Sequence, residues 1–288
     1  MNVTKLAIVF VGALAIGLVM CSAGSAGVIN TLAGFNADND SIADDSLGFI
    51  TDVSGDGGVP GVDDVAWGIV RIDNINLTPF TGIAYMVYSA QIESVGGGVI
   101  THKTTTATGY RLGDLLGDDT LNSSMVAVIE WSGSGTNPFT NASNYPFQNG
   151  FMNRTEGQFK SDLTTLMTNS TVLFALGLSD TDDNLVLTGT GSGTLFNVSG
   201  AFSVTYVSTG LNASDFKPLI GDPTQQAAIV TGATQVLQNA TYSGPGASIK
   251  TRDQGNYQVN YVPEPTSLAG LLGAGLTGLA LLRRRRKA

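Results

Sequence analysis

The stretch Ala201-Phe-Ser-Val-Thr-Tyr-Val207 alternates large apolar residues with small polar ones. In an extended chain, Phe202, Val204 and Tyr206 point to one side, and the serine and threonine between them point to the other. A period of two in β-branched and aromatic residues is typical of a strand with one buried face. This stretch therefore predicts a sheet with a core on one side.

Similar stretches recur along the chain between glycine-rich spacers. Strands are predicted over 65–72, 83–92, 99–108, 125–131, 171–178, 185–187 and 257–261, with a hairpin through 96–98. Helices are predicted over 156–169 and 223–239, with a short helical turn over 111–116. Many strands and few helices predict a mainly β fold, a sandwich or barrel-like domain with a few helical insertions.

The composition favours an exported protein. Only 13% of the residues are charged, and 37 of the 288 are glycine, whereas intracellular globular proteins carry nearer a quarter charged residues. The single cysteine, Cys21, lies in the leader. The mature chain therefore has no disulfide framework and no cysteine-based metal site.

The charge is segregated along the chain. Residues 27–262, predicted to form the mature domain, hold 8 basic and 22 acidic residues, a net charge of −14. Such a domain repels nucleic acid and anionic lipid head groups and attracts cations. Nucleic-acid binding is excluded on this ground.

The N-terminus predicts a signal peptide over residues 1–26. Lys5 supplies positive charge, 6–20 is apolar, and small residues lead to Ala26. Export through the Sec translocon and removal by signal peptidase follow, with cleavage after Ala26 or Ala23. A permanent anchor is disfavoured because fifteen residues at about 1.5 Å each fall short of a ~30 Å bilayer core. Lipidation at Cys21 is disfavoured because Met20 before it is large.

The last residues, 263–288, predict a separate tail. Val262, Pro263, Glu264 and Pro265 form an extended segment, since proline prevents a helix from continuing through it. Residues 267–282 are apolar and can enter a bilayer as a short helix. A stop-transfer cluster follows, made of Arg283, Arg284, Arg285, Arg286 and Lys287.

This three-part tail resembles the PEP-CTERM sorting domain of Gram-negative bacteria. The resemblance implies recognition by exosortase and cleavage near Pro263-Glu264-Pro265. It also implies a precursor tethered in the inner membrane, followed by release to the cell surface or to an exopolysaccharide matrix. The alternative is a tail that stays as a permanent single-span anchor.

The segment 36–64 is acidic and predicts calcium as a cofactor. Asp52, Ser54, Asp56 and Asp63 occupy positions one, three, five and twelve of a calcium-loop spacing, with Gly58 at position seven. This loop resembles those of dockerin and EF-hand proteins, although the flanking residues favour strands. The alternative is that Asp, Ser and Gly simply form turns.

A weaker calcium candidate lies upstream. Asp38, Asp40 and Asp44 follow an alternating-acid pattern similar to that of calcium-binding thrombospondin-type repeats. Turn formation is again the alternative.

No catalytic constellation is visible. His102 is the single histidine, which gives no support to a zinc site or a triad. As a lone strand residue it is expected at the surface or at an interface. The paired carboxylates 63–64, 118–119 and 182–183 adjoin turn residues. The sequence thus predicts a non-enzymatic surface or matrix protein, structural or adhesive. A secreted carbohydrate-binding module is the main alternative, and a secreted hydrolase a third.

Overall fold

A computed structural model describes most of the predicted mature domain. The described residues are 38–75, 78–79, 83–147, 152–179, 183–189, 195–208, 226–235 and 242–260. The predicted signal peptide, 1–26, and the sorting tail, 263–288, lie outside them. None of the helices in these ranges combines the length and the hydropathy needed to span a bilayer.

Strands dominate the described residues. They are β1 (Asp38–Thr51), β2 (Val65–Ile75), β3 (Thr78–Pro79), β4 (Ala84–Gly96), β5 (Val99–Thr104), β6 (Val126–Trp131), β7 (Ser170–Gly177), β8 (Asn184–Gly189), β9 (Leu195–Val207), β10 (Gln226–Gln235) and β11 (Ser248–Asn260). Two α-helices, α1 (Leu112–Leu116) and α2 (Glu156–Met167), and two 3₁₀ turns, Asp119–Leu121 and Pro138–Thr140, lie between strands. The prediction of a mainly β fold with few helices is confirmed.

All the strands belong to one antiparallel sheet. Its order is β3-β2-β1-β11-β10-β9-β7-β6-β4-β5-β8, with further pairings of β2 with β4 and of β8 with β9. β4 pairs with β6 through its first residues and with β5 through its last ones. The same edge of β9 is shared between β8 and β7. Because each of these long strands pairs with two partners along one edge, all the strands are connected in one sheet.

The longest pairing is that of β1 with β11. Asp38 pairs with Asn260 at one end and Thr51 with Ser248 at the other. β1 also pairs with β2, and Thr51 lies opposite Val65. The connection between β1 and β2 and the start of β11 therefore lie at the same end of the sheet.

Two apolar clusters cover opposite faces of the sheet, because Ala127 and Ile129 on β6 belong to one and Val128 to the other. The larger cluster lies beneath α2, where Phe159 packs edge-on against Trp67 with ring centroids 5.5 Å apart. Its members come from β1, β2, β4, β6, β7, the two α-helices, the 3₁₀ turn Asp119–Leu121 and the segment between β6 and α2. Trp67 is fully buried in this cluster.

The helix α2 begins with a reciprocal cap. Thr155 Oγ1 accepts a hydrogen bond from Gln158 N at 3.3 Å, and Gln158 Oε1 accepts one from Thr155 N at 3.0 Å. The helix predicted over 156–169 and the helical turn predicted over 111–116 are both present. The 96–98 hairpin is also present, with Gly97 and Gly98 at φ 59° and 79°, as a two-residue turn with two positive φ angles requires.

The helix predicted over 223–239 is wrong. Residues Gln226–Gln235 form β10, which pairs with β9 on one side and β11 on the other. Alanine and glutamine are good helix formers, but helix propensity is a small energy that pairing with two neighbouring strands outweighs. The strand predicted over 99–108 is shorter than expected, since β5 ends at Thr104.

Candidate functional site: a braced acidic loop

The connection between β1 and β2, residues 52–64, is held by many hydrogen bonds to its two terminal carboxylates. We call it the acidic loop. It begins and ends on a buried carboxylate: Asp52 is 2% exposed and Asp64 is fully buried. Buried carboxylates are costly unless donors surround them, so their partners define the loop's structure.

Four donors surround Asp52. Its Oδ1 accepts hydrogen bonds from Gly55 N at 2.7 Å and Ser54 Oγ at 3.0 Å, and its Oδ2 accepts them from Gly57 N and Gly246 N, both at 2.9 Å. Burial raises the pKa of this carboxyl, but the hydrogen bonds outweigh burial and hold the pKa below its ordinary value. Asp52 is therefore ionised without a cationic partner among these donors.

Asp64 is held in a similar way at the other end of the loop. Its Oδ2 accepts hydrogen bonds from Gly61 N and from the Tyr242 hydroxyl, both at 2.8 Å, and its Oδ1 lies 3.2 Å from Ser54 Oγ. Ser54 thus lies between the two buried carboxylates. Burial and the adjacent Asp64 both raise the pKa of Tyr242, so its hydroxyl stays protonated and donates.

The segment 242–247, just before β11, closes over the loop. Tyr242 N donates to Gly58 O at 2.7 Å, and Asp52 N donates to Ala247 O at 3.0 Å. The loop can turn this tightly because Gly55, Gly57 and Gly58 adopt φ angles of 72° to 81°. The loop is therefore fixed by its own backbone and by a segment almost two hundred residues away.

Asp63 attaches the loop to its other neighbour, the β4–β5 hairpin. Its Oδ1 forms an ion pair with Lys103 Nζ at 2.7 Å. Its backbone N donates to Ile92 O at 2.8 Å, and Ile92 N donates to Asp64 O at the same distance. Asp63 itself adopts φ 72°. Its carboxylate faces Lys103, while that of Asp52 faces the loop's own N–H groups.

The predicted calcium ligands are thus only partly brought together. Asp52 and Ser54 are in contact, Asp56 is exposed, and Asp63 pairs with Lys103. The carbonyl of Gly58 accepts from Tyr242. Within the described ranges, no group of three or more His, Cys, Asp or Glu side chains is arranged to hold a metal ion. Calcium binding stays a prediction.

The weaker calcium candidates lie on a strand. Asp38, Asp40 and Asp44 belong to β1, between β2 and β11, with a register shift between Asp38 and Asp40. The turn alternative for this segment is wrong, because its backbone is extended and paired.

Sequence reasoning missed Tyr242 and Gly246 and gave Asp64 no role. The pair 63–64 was visible, but only as two acids beside turn residues. Nothing near Tyr242 in the sequence indicates a partner 178 residues earlier. These contacts exist because β11 returns alongside β1.

A third carboxylate with several donors, the partly buried Glu156, lies on the helical side. Its Oε1 accepts from the Tyr110 hydroxyl at 2.7 Å and lies 3.2 Å from Lys160 Nζ, and Ser248 Oγ donates to its other oxygen. Lys160 Nζ also lies 3.5 Å from the centroid of the Tyr110 ring and 5.2 Å from that of Trp67. Burial raises the pKa of Glu156, but these partners together lower it.

His102 is buried, which corrects the expectation of a surface residue. It is 8% exposed, and burial lowers its pKa from 6.5 to about 4. Its Nδ1 has no hydrogen-bond partner in the described part of the chain. The imidazole is therefore neutral near pH 7 and largely excluded from solvent.

The other predicted carboxylate pairs serve as local caps where they are described. Asp118 Oδ1 accepts from the backbone N and the hydroxyl of Thr120, at 3.0 and 2.6 Å, and Asp119 Oδ1 accepts from Asn122 Nδ2 at 3.1 Å. Asp183 Oδ2 accepts from Ser179 N at 2.9 Å, and Asp182 lies outside the described residues. These contacts are those of turns.

One cleft bears on the carbohydrate-binding alternative. It has a volume of about 430 Å³, and its lining includes Arg71, Tyr85, Phe139, Tyr145 and Phe147. The four aromatic residues are at most 2% exposed. Their ring faces are occupied by core neighbours, which leaves little area on which a sugar ring could stack. Searches against protein-family models, curated proteins and solved structures found no match for this chain.

Proposed function

We propose that this chain is an exported surface or matrix protein, sorted by an exosortase and structural or adhesive in an exopolysaccharide matrix. The observation that carries the proposal is the tail: the motif 262–265, the apolar run 267–282 and the cationic cluster 283–287, in that order. The leader over 1–26 supplies the export signal that such sorting requires. Before processing, the tail would tether the precursor in the inner membrane.

The arrangement of the domain supports this proposal. The last strand, β11, ends at Asn260, two residues before the motif begins at Val262. Cleavage near Pro263 would therefore remove the tail without cutting any described strand.

We also infer a barrel-like rather than a sandwich arrangement. Following the hydrogen-bonded pairs from β1 through β11, β10, β9, β7, β6, β4 and β2 leads back to β1. A two-sheet sandwich would leave free edges between its sheets, and this path has none.

Mass spectrometry of the mature protein tests the sorting proposal. The full chain is expressed in an exosortase-containing Gram-negative host, unchanged and as the Pro263→Ala/Pro265→Ala variant. We expect the unchanged chain to lose its arginine-rich end and the variant to keep it. Thr266→Ala, one residue beyond the motif, serves as the matched control and should be processed normally. An unchanged chain that retains Arg283–Lys287 on the cell surface would show a permanent anchor instead.

The calcium prediction for the acidic loop is tested separately. Calcium bound at the predicted positions should raise the melting temperature of the full chain, and Asp56→Asn should abolish that rise. Asp118→Asn, at a cap away from the loop, should leave the rise unchanged. No shift at millimolar calcium would end the prediction, and the sorting proposal would stand untouched.

A further inference from the structure

Exposed valines concentrate at one end of the sheet. Among the residues whose burial is described, the exposed large hydrophobic side chains are Val53, Val59, Val62 and Val95, which are 37%, 62%, 47% and 51% exposed. The first three lie within ten residues on the acidic loop. Single exposed apolar residues are ordinary, but three on one loop set this loop apart from the rest of the described surface.

The fourth valine belongs to the same end. The acidic loop is joined to β4 by the hydrogen bonds of Asp63 and Asp64 with Ile92. Val95 follows Ile92 by three residues and lies in the β4–β5 hairpin, opposite Ile100. We call the acidic loop and this hairpin together the loop end of the sheet.

The valines of the acidic loop are carried by a rigid support. Asp52 and Asp64 are buried and bind the N–H groups of Gly55, Gly57 and Gly61. A loop already fixed in one conformation loses little entropy when it binds. This loop therefore presents apolar side chains in an arrangement suited to a partner.

The loop end lies at the opposite end of β11 from Asn260, the last described residue before the tail. β11 starts at Ser248, opposite Thr51 and next to the acidic loop, and ends at Asn260, opposite Asp38. A strand of this length spans about 40 Å at ~3.3 Å per residue. The sorting motif thus follows the far end of the sheet, and a domain held by its tail would present the loop end outward.

The charges around the valines indicate what kind of partner would bind there. Asp56 and Glu93 are exposed, and Asp63 is half-exposed beside Lys103. The predicted mature domain carries a net charge of −14, which disfavours docking of a second copy. An apolar patch bordered by lysine or arginine would complement both the valines and the acids.

We propose that the loop end is the docking surface for a second, different protein that presents an apolar patch bordered by basic residues. This inference rests on the proposed function, because it assigns the contact made by the surface-sorted domain. In the complex, the valines are buried against the partner's apolar patch. The acidic residues orient the partner and select one with a basic border.

Photo-crosslinking in the native host tests this proposal. A photoreactive phenylalanine analogue replaces Val59 in the full chain, and a matched chain carries it at Thr164, an exposed position on α2. We expect an adduct from position 59 and none from position 164. Its mass should equal one chain plus one different protein, and its crosslinked peptide should be apolar with adjacent lysine or arginine. Asp56→Lys should lower the adduct yield about fivefold, as expected for the loss of ~1 kcal/mol.

Three outcomes would overturn the proposal. These are equal yields at positions 59 and 164, an adduct made of two copies of this chain, and a sorted chain that gives no protein adduct. Val59→Ser/Val62→Ser should reduce retention on the cell while the melting temperature stays unchanged, since both side chains are exposed. The mass of the tail, measured on the same cells, separates the two proposals. An unprocessed chain contradicts the sorting proposal, and a processed chain without an adduct contradicts this one.

Discussion

The acidic loop fully buries the carboxylate of Asp64, the helical side of the domain partly buries that of Glu156, and the two regions stabilise them with different donors. Asp64, on the loop, accepts hydrogen bonds from a backbone N–H and two hydroxyls, all of them neutral. Glu156, on α2, adds the ammonium group of Lys160, one helical turn away, to its hydroxyl donors. Neutral donors need exact positions and act at any ionic strength, whereas a partly exposed cation acts from a looser position and is screened by salt.

The two regions also differ in how far along the sequence their donors lie from the carboxylates. The loop depends on Tyr242 and Gly246, which reach it only when β11 has paired with β1. Lys160 is near Glu156 as soon as α2 forms, because residues four apart share a helix face. Changes in the acidic loop therefore test the pairing of the whole sheet, whereas changes in the Glu156–Lys160 ion pair test mainly α2.

The largest effect is expected from Asp64→Ala. This change leaves the Gly61 N–H and the Tyr242 hydroxyl buried without an acceptor. We expect the free energy of unfolding to fall by about 3 kcal/mol, measured by urea denaturation. Asp56→Ala, on the same loop but exposed, should change it by no more than about 0.5 kcal/mol. Equal effects of the two changes would show that the loop is not braced through Asp64.

A matched pair of tyrosines tests the difference more finely. Tyr242→Phe removes the hydroxyl donor of Asp64 and should cost about 1.5 kcal/mol, because this carboxylate is fully buried. Tyr110→Phe removes a hydroxyl donor from Glu156, which keeps Lys160 and Ser248, and should cost about 0.7 kcal/mol. If the second change costs more than the first, the helical side depends on neutral donors as strongly as the loop does.

The pH dependence of stability distinguishes the two regions again. Glu156 has a pKa lowered from 4.5, so its partners stabilise the fold above pH 4.5, and this stabilisation is lost as pH falls through the folded pKa. Glu156→Gln should therefore flatten the fall in stability below pH 4.5. Asp52 also has a lowered pKa, so part of the fall in stability should remain in the Glu156→Gln variant.

His102 should lower the stability of the unchanged chain and of the Glu156→Gln variant by the same amount as pH falls. Its pKa is lowered by burial to about 4, so the unfolded chain binds a proton first as pH falls below 6.5. This loss of stability between pH 6.5 and about 4 should appear with and without the Glu156 change. Urea titrations at steps of half a pH unit would show it, and a variant curve as steep as the unchanged one below pH 4.5 would contradict the role of Glu156.

The smallest expected effect is the salt dependence of Lys160→Met. Its ammonium group is partly exposed and lies against an acid and two aromatic rings, so we expect a cost of about 0.5 kcal/mol at low salt. In 1 M NaCl the Debye length is about 3 Å, and most of this cost should vanish. The cost of Tyr242→Phe should stay constant over the same range. A salt-dependent cost for both would remove the distinction between the regions.

The sequence predicted those elements whose own residues decide their structure. The alternation around Phe202 and the glycines of the β4–β5 hairpin are local signals, and both elements are present. The helix over 156–169 is also local, since Thr155 and Gln158 cap it themselves. The 223–239 segment has no decisive local signal, and its strand depends on partners from β9 and β11.

The candidate site was less predictable for the same reason. The spacing of Asp52, Ser54 and Asp56 identified a tight loop, because glycines between acids favour turns. The partners that satisfy the two buried carboxylates come partly from 242–247, far away in sequence. The sequence predicted calcium at this loop but gave no sign of the N–H groups and the phenol that hold Asp52 and Asp64.

The register of β1 against β11 has a mechanical consequence. If a partner holds the loop end and the tail holds the domain, tension enters β1 through the acidic loop, beside Thr51, and leaves through β11 at Asn260. The two strands are then pulled in opposite directions along their length, so the load is shared by all their hydrogen bonds at once. Bonds loaded in shear must fail together, whereas bonds at a peeling end fail one after another. Under that loading, the pairing of β1 with β11 would resist tension along the two strands.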